Sequence, residues 1–443
     1  MASLSVDGLV SGLDTTSLIS QLVAAEGTVQ TQLKTRLSET KDAAAAYRGI
    51  NTKIDALRSA AENLGKDATW TAAKATSSST AVAVAVTGTP QPGSVTFTVN
   101  EVATAHALVG GTTQSSTTTA GAYGDLTVYG PDGTTVKGTI VVGSGSLTDT
   151  AAAINKSALG LNATVLQTSP GQYTLQVSAK ATGKDAAFSL SGDFDPLRQG
   201  TDAKITLGDA ASPLSVTSST NTFTGLIPGG TLTVSAKSTT PVTIDVQPDP
   251  DAVAAKVQAF VDAANAALTE IERESANGAE STASLRGDSN LRRLTDQVLT
   301  AVSDVVAGLG SPGTFGVQLT RDGKVSFTKD TFLTKLQADP AKVREVFAGV
   351  STDGGPDGVA ARMQVLAKQV TDSTTGSLTL LAKGRDALAT DLEGRIADWD
   401  LRLAARKAAL TKQFTAMETA LNSLRNQSSW LSGQLASLPS SSS

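Results

Sequence analysis

The side chains that most often carry out chemistry in enzymes are almost absent from this sequence. Of its 443 residues none is Cys, and only His106 is His. The composition therefore excludes a Cys nucleophile, a thiolate metal site and a His-based triad, and it leaves one imidazole as a possible ligand. Because His106 lies among small residues, we interpret it as structural rather than ligating.

The other polar motifs do not form a reactive group either. The acidic segment Asp353-Gly-Gly-Pro-Asp357-Gly lacks the alternating ligands and terminal Glu of an EF-hand, which indicates a turn. Asp398 and Asp400 are two residues apart, so they lie on different faces of a helix. We therefore predict no catalytic residue, no cofactor, no metal site, and a protein that is not an enzyme.

Charge and hydropathy argue against two classes of partner. A net charge of −5 gives no overall field that would attract nucleic acid or anionic lipid. No stretch approaches the roughly 18 to 20 apolar residues that span a bilayer. No Lys or Arg precedes Lys34, so the basic region of a secretory signal is missing. We expect no nucleic-acid binding, no membrane insertion, and either retention in the cell or export by another route.

Two long amphipathic helices are predicted at the ends of the chain. Apolar residues recur every three or four positions in residues 16–64 and again in residues 388–424, which places one apolar stripe on each helix. Such helices are stabilised mainly by burying the stripe, so we expect them to pair as a coiled-coil-like stem. Arg406 and Gln413 stand where a partner helix would favour Leu, and we interpret both as interruptions of the apolar seam.

The middle of the chain has a different pattern. From residue 76, short segments alternate apolar and polar residues between turn signals, which predicts antiparallel strands. Helical spacing returns at Asp249-Pro250, and Asp322-Gly323 predicts a type I′ hairpin turn. The fold class is therefore multidomain α+β. It has long terminal helices forming a stem, a helix-rich domain with a β-hairpin, and one or two inserted, mainly antiparallel β domains.

The same patterns divide the chain into four parts. Residues 1–45 and 390–443 form terminal helical legs, which we expect to be disordered in the isolated protein. Residues 46–75 and 249–389 form the helix-rich domain. A β domain of residues 76–105 and 200–248 carries a second β domain, residues 106–199, as an insertion.

Several stretches together resemble one protein family. They are residues 6–26 (VDGLVSGLDTTSLISQLVAAE), 145–155 (GSLTDTAAAIN), 173–178 (YTLQVS), 221–234 (NTFTGLIPGGTLTV) and 260–265 (FVDAAN), with an ending that contains Gln413-Phe414, Met417-Glu418, Leu421 to Leu424 and Trp430-Leu431. Their content and order are similar to those of the flagellar filament cap protein family (flagellar hook-associated protein 2, FliD). The resemblance covers nearly the whole chain.

The resemblance implies a structural protein outside the cell, at the distal tip of the flagellar filament. It would reach the tip by the flagellar type III export route without a cleaved signal peptide. It would form a ring-shaped homo-oligomer, typically a pentamer in the family, that retains exported flagellin and promotes its folding and insertion. Other implied partners are the hook–filament junction protein, a flagellar export chaperone and, through the β domains, a host mucin or surface.

Two alternatives remain open from the residues alone. Paired terminal helices also occur in other axial flagellar proteins, either flagellin-like or at the hook–filament junction, and the Ser/Thr-rich β domains suggest a surface adhesin. For the cap, our hypothesis is that the legs contact flagellin or the end of the filament through their apolar stripes. The candidate contact residues are Leu18, Leu22, Leu33, Trp399, Leu403, Leu410, Phe414, Met417, Leu421 and Leu424.

Overall fold

The structure is a computed structural model, and it describes residues 14–87, 91–208, 212–278, 281–306, 308–350 and 357–436. The ends of the predicted legs and most of the acidic turn at residues 353–357 lie outside the described residues. The chain divides into two compact units, one of Met1–Gly65 with Lys256–Ser443 and one of Lys66–Ala255. We call them the helical unit and the β unit.

The helices and strands follow one another in a simple order. The helices are α1 (Thr15–Glu26), α2 (Thr28–Gly65), α3 (Asp67–Trp70), α4 (Leu147–Lys156), α5 (Pro250–Ser275), α6 (Ser289–Ser303), α7 (Lys329–Ala338), α8 (Pro340–Ala348), α9 (Val359–Thr371) and α10 (Ser377–Ala436). The strands are β1 (Ala73–Ser77), β2 (Val82–Val86), β3 (Gly93–Glu101), β4 (Ala107–Gly110), β5 (Leu126–Tyr129), β6 (Val136–Ile140), β7 (Leu161–Ser169), β8 (Gln172–Ala179), β9 (Ser189–Leu190), β10 (Phe194–Arg198), β11 (Ala203–Leu207), β12 (Leu214–Ser218), β13 (Thr222–Thr224), β14 (Gly230–Val234), β15 (Ser238–Pro248), β16 (Val317–Leu319) and β17 (Val325–Phe327).

Two long helices organise the helical unit, as the apolar spacing predicts. Asp14 caps α1 by accepting a hydrogen bond from the Ser17 backbone N–H at 2.8 Å. Gly27 then separates α1 from α2, whereas α2 continues without a break through Gly49. The helix α10 has 60 residues, a length of about 90 Å. It packs against both α1 and α2.

The rest of the helical unit is tied to α5. The side-chain amide of Asn265 pairs with the backbone of Val325. Its Nδ2 donates to the Val325 carbonyl at 2.7 Å, and its Oδ1 accepts from the Val325 N–H at 2.8 Å. The β16–β17 hairpin is thereby fixed on α5. Phe332 stands between Phe327 and Phe347, with ring centroids 5.5 and 5.7 Å away. This aromatic cluster joins the hairpin to α7 and α8.

The predicted turn type of that hairpin is wrong. A type I′ turn requires positive φ at both central residues, but only Gly323 has one, at 71°. The Gly323 N–H donates to the Thr320 carbonyl, and the Thr320 N–H donates to the Lys324 carbonyl at 2.8 Å. This pattern is a three-residue loop in which Gly323 forms a bulge after the turn.

The β unit contains two hydrophobic cores. The sheet β1-β15-β3-β11-β12 and the sheet β13-β14-β2 enclose the first β core, which includes Phe97, Ile205 and Leu232. The sheets β10-β4-β8-β7 and β6-β5-β9 enclose the second with α4, and it includes Val128 and Ile154. The strand pairs of the described residues are antiparallel.

The fold class is therefore confirmed as α+β, with long terminal helices, a helix-rich part with a hairpin and antiparallel β parts. The boundaries of the four predicted domains stay a prediction. The described parts of the legs, residues 14–45 and 390–436, are helical except at Asp14 and Gly27. Their expected disorder in the isolated protein also stays a prediction.

Candidate functional site

Ion pairs connect α10 to α2 and to α1. Arg48 pairs with Asp386, and Lys41 pairs with Glu393 at 2.6 Å. Lys41 is seven residues before Arg48 in α2, whereas Glu393 is seven residues after Asp386 in α10. Near the end of α1, Glu26 pairs with Arg406 at 2.9 Å. These pairs run in opposite directions along the two helices, which establishes an antiparallel arrangement.

One apolar cluster of the seam between the legs is centred on Leu33. Leu33 is buried against Leu392 and Ile396. The cluster also receives the partly buried side chains of Leu37, Leu388 and Trp399. Further along the legs, Ile19 and Leu410 are also buried, and ion pairs lie beside these apolar contacts.

One polar contact is inside the seam. Gln30 is buried, and its Nε2 donates to Asp400 Oδ1 at 2.5 Å. Lys34 Nζ donates to the Gln30 Oε1 at 3.2 Å. Gln30 thus connects Lys34 of α2 to Asp400 of α10, and these two residues continue the seven-residue spacing of the Arg48–Asp386 and Lys41–Glu393 pairs.

The interpretation of Arg406 as an interruption of the seam is wrong. The Arg406 side chain is about half exposed, and its guanidinium binds the Glu26 carboxylate beside the seam. Gln413 is exposed on the same helix. Arg406 therefore joins the legs rather than weakening their pairing.

The structure separates the ten candidate contact residues into three groups. Leu33 and Leu410 are buried, so they could meet a partner only after the legs separate. Trp399, Leu403 and Phe414 are partly buried. The exposed candidates are Leu18, Leu22, Met417, Leu421 and Leu424.

The helix α1 has two apolar faces. Ile19 is buried on the face that packs, whereas Leu18 and Leu22 are 40 % and 42 % exposed one turn apart on another face. Val29, just after α1, is 45 % exposed and extends this second face by seven residues from Leu22. The apolar spacing includes Val29, but only the structure separates it from the seam. We call Leu18, Leu22 and Val29 the outer leucine face.

The described residues contain no group of three or more His, Cys, Asp or Glu side chains that could hold a metal ion. Among the described helices, none is both long and apolar enough to cross a membrane.

Family models match most of the chain. The model described as the C-terminus of flagellar hook-associated protein 2 matches residues 200–426, and the model of its N-terminus matches residues 11–106. The chain belongs to the flagellar hook-associated protein 2 family. The resemblance seen in the sequence is thereby confirmed.

Curated relatives are also flagellar hook-associated proteins. Flagellar hook-associated protein 2 of Escherichia coli (strain K12) is 25 % identical over 469 residues, which cover 98 % of this chain and 98 % of the relative. The lateral flagellar hook-associated protein 2 of Vibrio parahaemolyticus is 27 % identical over 262 residues, 57 % of this chain and 56 % of the relative.

A solved structure supports the fold. The crystal structure of the D1-D2-D3 domains of the flagellar cap protein FliD from Escherichia coli superposes with a TM-score of 0.59 at 24 % identity, covering 77 % of this chain and 99 % of that one. The family gives this chain a structural role in capping the flagellar filament, at the filament tip. It does not favour the flagellin-like, junction or adhesin alternatives.

Proposed function

We propose that this chain forms a ring-shaped homo-oligomer on the filament tip, retains exported flagellin there and promotes its folding and insertion. The legs are the parts that meet the filament or flagellin. The chain reaches the tip through flagellar type III export without a cleaved signal peptide. A junction protein, an export chaperone and, for the β domains, a host mucin or surface are further partners in this proposal.

The outer leucine face is the observation that carries the contact proposal. An isolated exposed Leu needs no explanation, but Leu18 and Leu22 lie one turn apart on a helix whose other face is already packed. A third helix that contacts α1 would bury both side chains without opening the seam. The terminal helices of a neighbouring filament subunit could supply such a helix.

The size of this face suits a contact that must break and re-form as subunits are added beneath the cap. A fully buried Leu contributes roughly 1.5–3 kcal/mol, and Leu18 and Leu22 are each already more than half covered. The outer leucine face can therefore contribute only a few kcal/mol in each leg. Such a contact would hold the cap without preventing its release.

The test replaces the outer face and a matched exposed leucine in the full chain. The variant Leu18→Ser/Leu22→Ser should keep its helix content and ring formation, yet fail to restore filaments in a strain that lacks its own cap. The control is Leu401→Ser, because Leu401 is 72 % exposed on α10 and lies within the legs. Filament length in electron micrographs and flagellin lost to the medium are the measurements.

Either of two outcomes would contradict the contact proposal. Normal filaments with the double variant would mean that α1 does not touch the filament. An equal defect with Leu401→Ser would mean that any polar substitution in the legs is harmful.

Removal of residues 400–443 should abolish filament growth while leaving a folded protein that oligomerises. Normal filaments from that truncation would show that these residues of the legs are not needed for filament growth.

Ring formation has its own test. A cap on a cylindrical filament needs cyclic symmetry, and head-to-tail contacts close into rings when the rotation allows. Light scattering should show mass increasing with protein concentration, and micrographs should show closed rings. Monomer alone at high concentration would contradict a homo-oligomer, whatever the leg variants do.

A further inference from the structure

The chain passes between the two β cores twice, and these two passages lie side by side. We call residues 103–107 and 198–203 the neck. Within it Thr104 and Thr201 exchange backbone hydrogen bonds, at 3.0 and 3.3 Å. The Thr104 hydroxyl also donates to the Gln199 carbonyl at 2.9 Å. The neck is thus a short two-stranded connection between the first and second β cores.

The only histidine of the chain is buried in this neck. His106 is 5 % exposed, and its Nδ1 accepts a hydrogen bond from the Gly200 backbone N–H at 3.3 Å. Its ring meets the edge of Phe188, a residue of the second β core, with centroids 5.3 Å apart. The imidazole therefore connects the returning strand of the neck to the second core.

The approach of Gly200 to this ring is close. A Cβ at position 200 would lie 3.3 Å from the His106 Cβ and 2.7 Å from the Gly183 carbonyl oxygen. The His106 carbonyl accepts from the Ala179 N–H at 2.9 Å. Backbone from three parts of the β unit thus meets around one side chain, so a change in that side chain affects all three.

The charged groups on the surrounding elements do not favour an imidazolium. The Arg198 guanidinium Nε donates to the Ala105 carbonyl at 2.9 Å. On the 180–188 segment, Lys184 pairs with Asp202 at 3.7 Å, and Lys180 and Asp185 are exposed. Burial lowers the pKa of His106, and a hydrogen bond to the Phe188 backbone opposes this only in part. At neutral pH the ring is neutral and Nδ1 is free to accept.

We propose that His106 is a pH-sensitive lock on the neck, and that its protonation in mildly acidic solution releases the two β cores to move relative to each other. An imidazolium carries a proton on both nitrogens, so Nδ1 can no longer accept from Gly200. The Gly200 N–H then loses its partner in a buried place, and the charged ring is itself disfavoured there. Opening of the neck exposes both groups to water.

The direction of the pH dependence follows from linkage. The folded protein binds the His106 proton more weakly than the unfolded chain, whose imidazole pKa is about 6.5. The contribution of His106 to neck stability is therefore present above about pH 6.5 and lost as the pH falls below it. Each β core keeps its apolar contacts, so the loss is confined to the neck.

The absence of Cys makes the movement measurable in the full chain. Spin labels can be attached at Val141→Cys, near the second β core, and Thr217→Cys in β12 beside the first, since both positions are exposed and no native thiol competes. The distribution of label distances should be narrow at pH 7.5 and broad at pH 5. Amide exchange of residues 198–203, corrected for its intrinsic pH dependence, should be about tenfold faster at pH 5.

The matched control is His106→Gln in the labelled chain. Gln remains neutral over this range and offers an oxygen to the Gly200 N–H, so its distance distribution should be the same at both pH values. If the wild-type distribution does not change, or the Gln variant changes equally, the proposal is overturned. Simultaneous loss of protection in both β cores would also overturn it, because that is unfolding rather than release.

A second measurement needs no substitution, so it remains possible if the His106→Gln variant does not fold. With one His in the chain, the imidazole gives a single NMR signal, and its titration midpoint in the unmodified protein is unambiguous. The midpoint should lie below 6.5 and coincide with the change in label distance. A midpoint at or above 6.5, or a distance change at a different pH, would exclude His106 as the lock.

Discussion

In the helical core, residues 46–65 of α2 lie between α9 and α10, and Ile50, Ile54 and Leu57 are almost completely buried. In the legs, α2 and α10 contact mainly each other and α1, and Leu18 and Leu22 remain exposed. Both regions have the same apolar spacing. What differs is the number of neighbouring helices, so spacing alone does not determine how much an apolar residue contributes.

The difference also appears in the polar residues. In the core the Gln364 side chain reaches the Ala61 carbonyl at 3.2 Å, so α9 and α2 share a contact in addition to their apolar packing. In the legs, half-exposed ion pairs such as Lys41–Glu393 replace part of that packing. Exposed pairs contribute about 0–1 kcal/mol each. The legs are therefore the less stable end of the helical unit.

The largest difference in stability should be seen between a leucine substitution in the helical core and the same substitution in the legs. Leu57→Ala should lower the free energy of unfolding by about 3 kcal/mol, because it leaves a cavity among well-packed helices. Leu22→Ala should change it by less than about 0.5 kcal/mol, since the side chain is already exposed. Urea unfolding of both variants is the measurement. Similar losses would mean that the legs are packed as tightly as the core.

A smaller and more local effect is expected at Leu33, the buried centre of the leg seam. Leu33→Ala should cost about 2 kcal/mol of leg pairing. Amide exchange should become faster in residues 28–40 while the amides around Ile54 are unchanged. If amide exchange became equally faster in both regions, the legs and the helical core would unfold as one cooperative unit and would not differ in stability. Leu18→Ala serves as the control, because it removes the same atoms from an exposed position.

Much of this arrangement is predictable from sequence because long helices carry a strong periodic signal. The possible cap at Asp14 predicts the start of α1, and the apolar spacing predicts the long helices α2 and α10 without any tertiary information. Glycine is unfavourable inside a helix, yet of Gly27 and Gly49 only Gly27 interrupts the helical pattern. A Cβ at Gly49 would lie 2.9 Å from Glu270 Oε1, so tertiary contact with α5 explains this glycine in a continuous helix.

The edge strands β10 and β12 are difficult to predict for a different reason. Each has only five residues, FDPLR in β10 and LSVTS in β12, and FDPLR has no regular apolar alternation. Their hydrogen-bonding partners, β4 and β11, hold them in the sheet, so their own side chains need not carry the pattern. Spacing also cannot tell Leu18 from Leu33. That distinction depends on where α10 lies, which only the three-dimensional structure contains.

An intermediate effect is expected where leg and core meet. The Tyr47 hydroxyl donates to the Asp288 carboxylate at the start of α6, and burial together with this bond raises the pKa of Tyr47 to about 12. Tyr47→Phe should cost about 1 kcal/mol near pH 8. Because the folded state holds the phenol proton more tightly than the unfolded state, the advantage of Tyr47 is present below pH 10 and is lost as the pH rises from about 10 to about 12. Unfolding curves at pH 8 to 11 should therefore converge for the two proteins.

The smallest effect should come from reversing one charge in the legs. Lys41→Glu places a carboxylate opposite Glu393 and should weaken leg pairing by about 0.5 kcal/mol, an amount that salt reduces because both side chains are about half exposed. Exchange in residues 36–45 should become slightly faster at low salt and match the wild type at high salt. The compensating variant Lys41→Glu/Glu393→Lys should restore slow exchange, whereas Lys53→Glu, an exposed position in the core half of α2, should leave the legs unchanged. If the double variant is no better than the single one, Lys41 and Glu393 do not act as a pair.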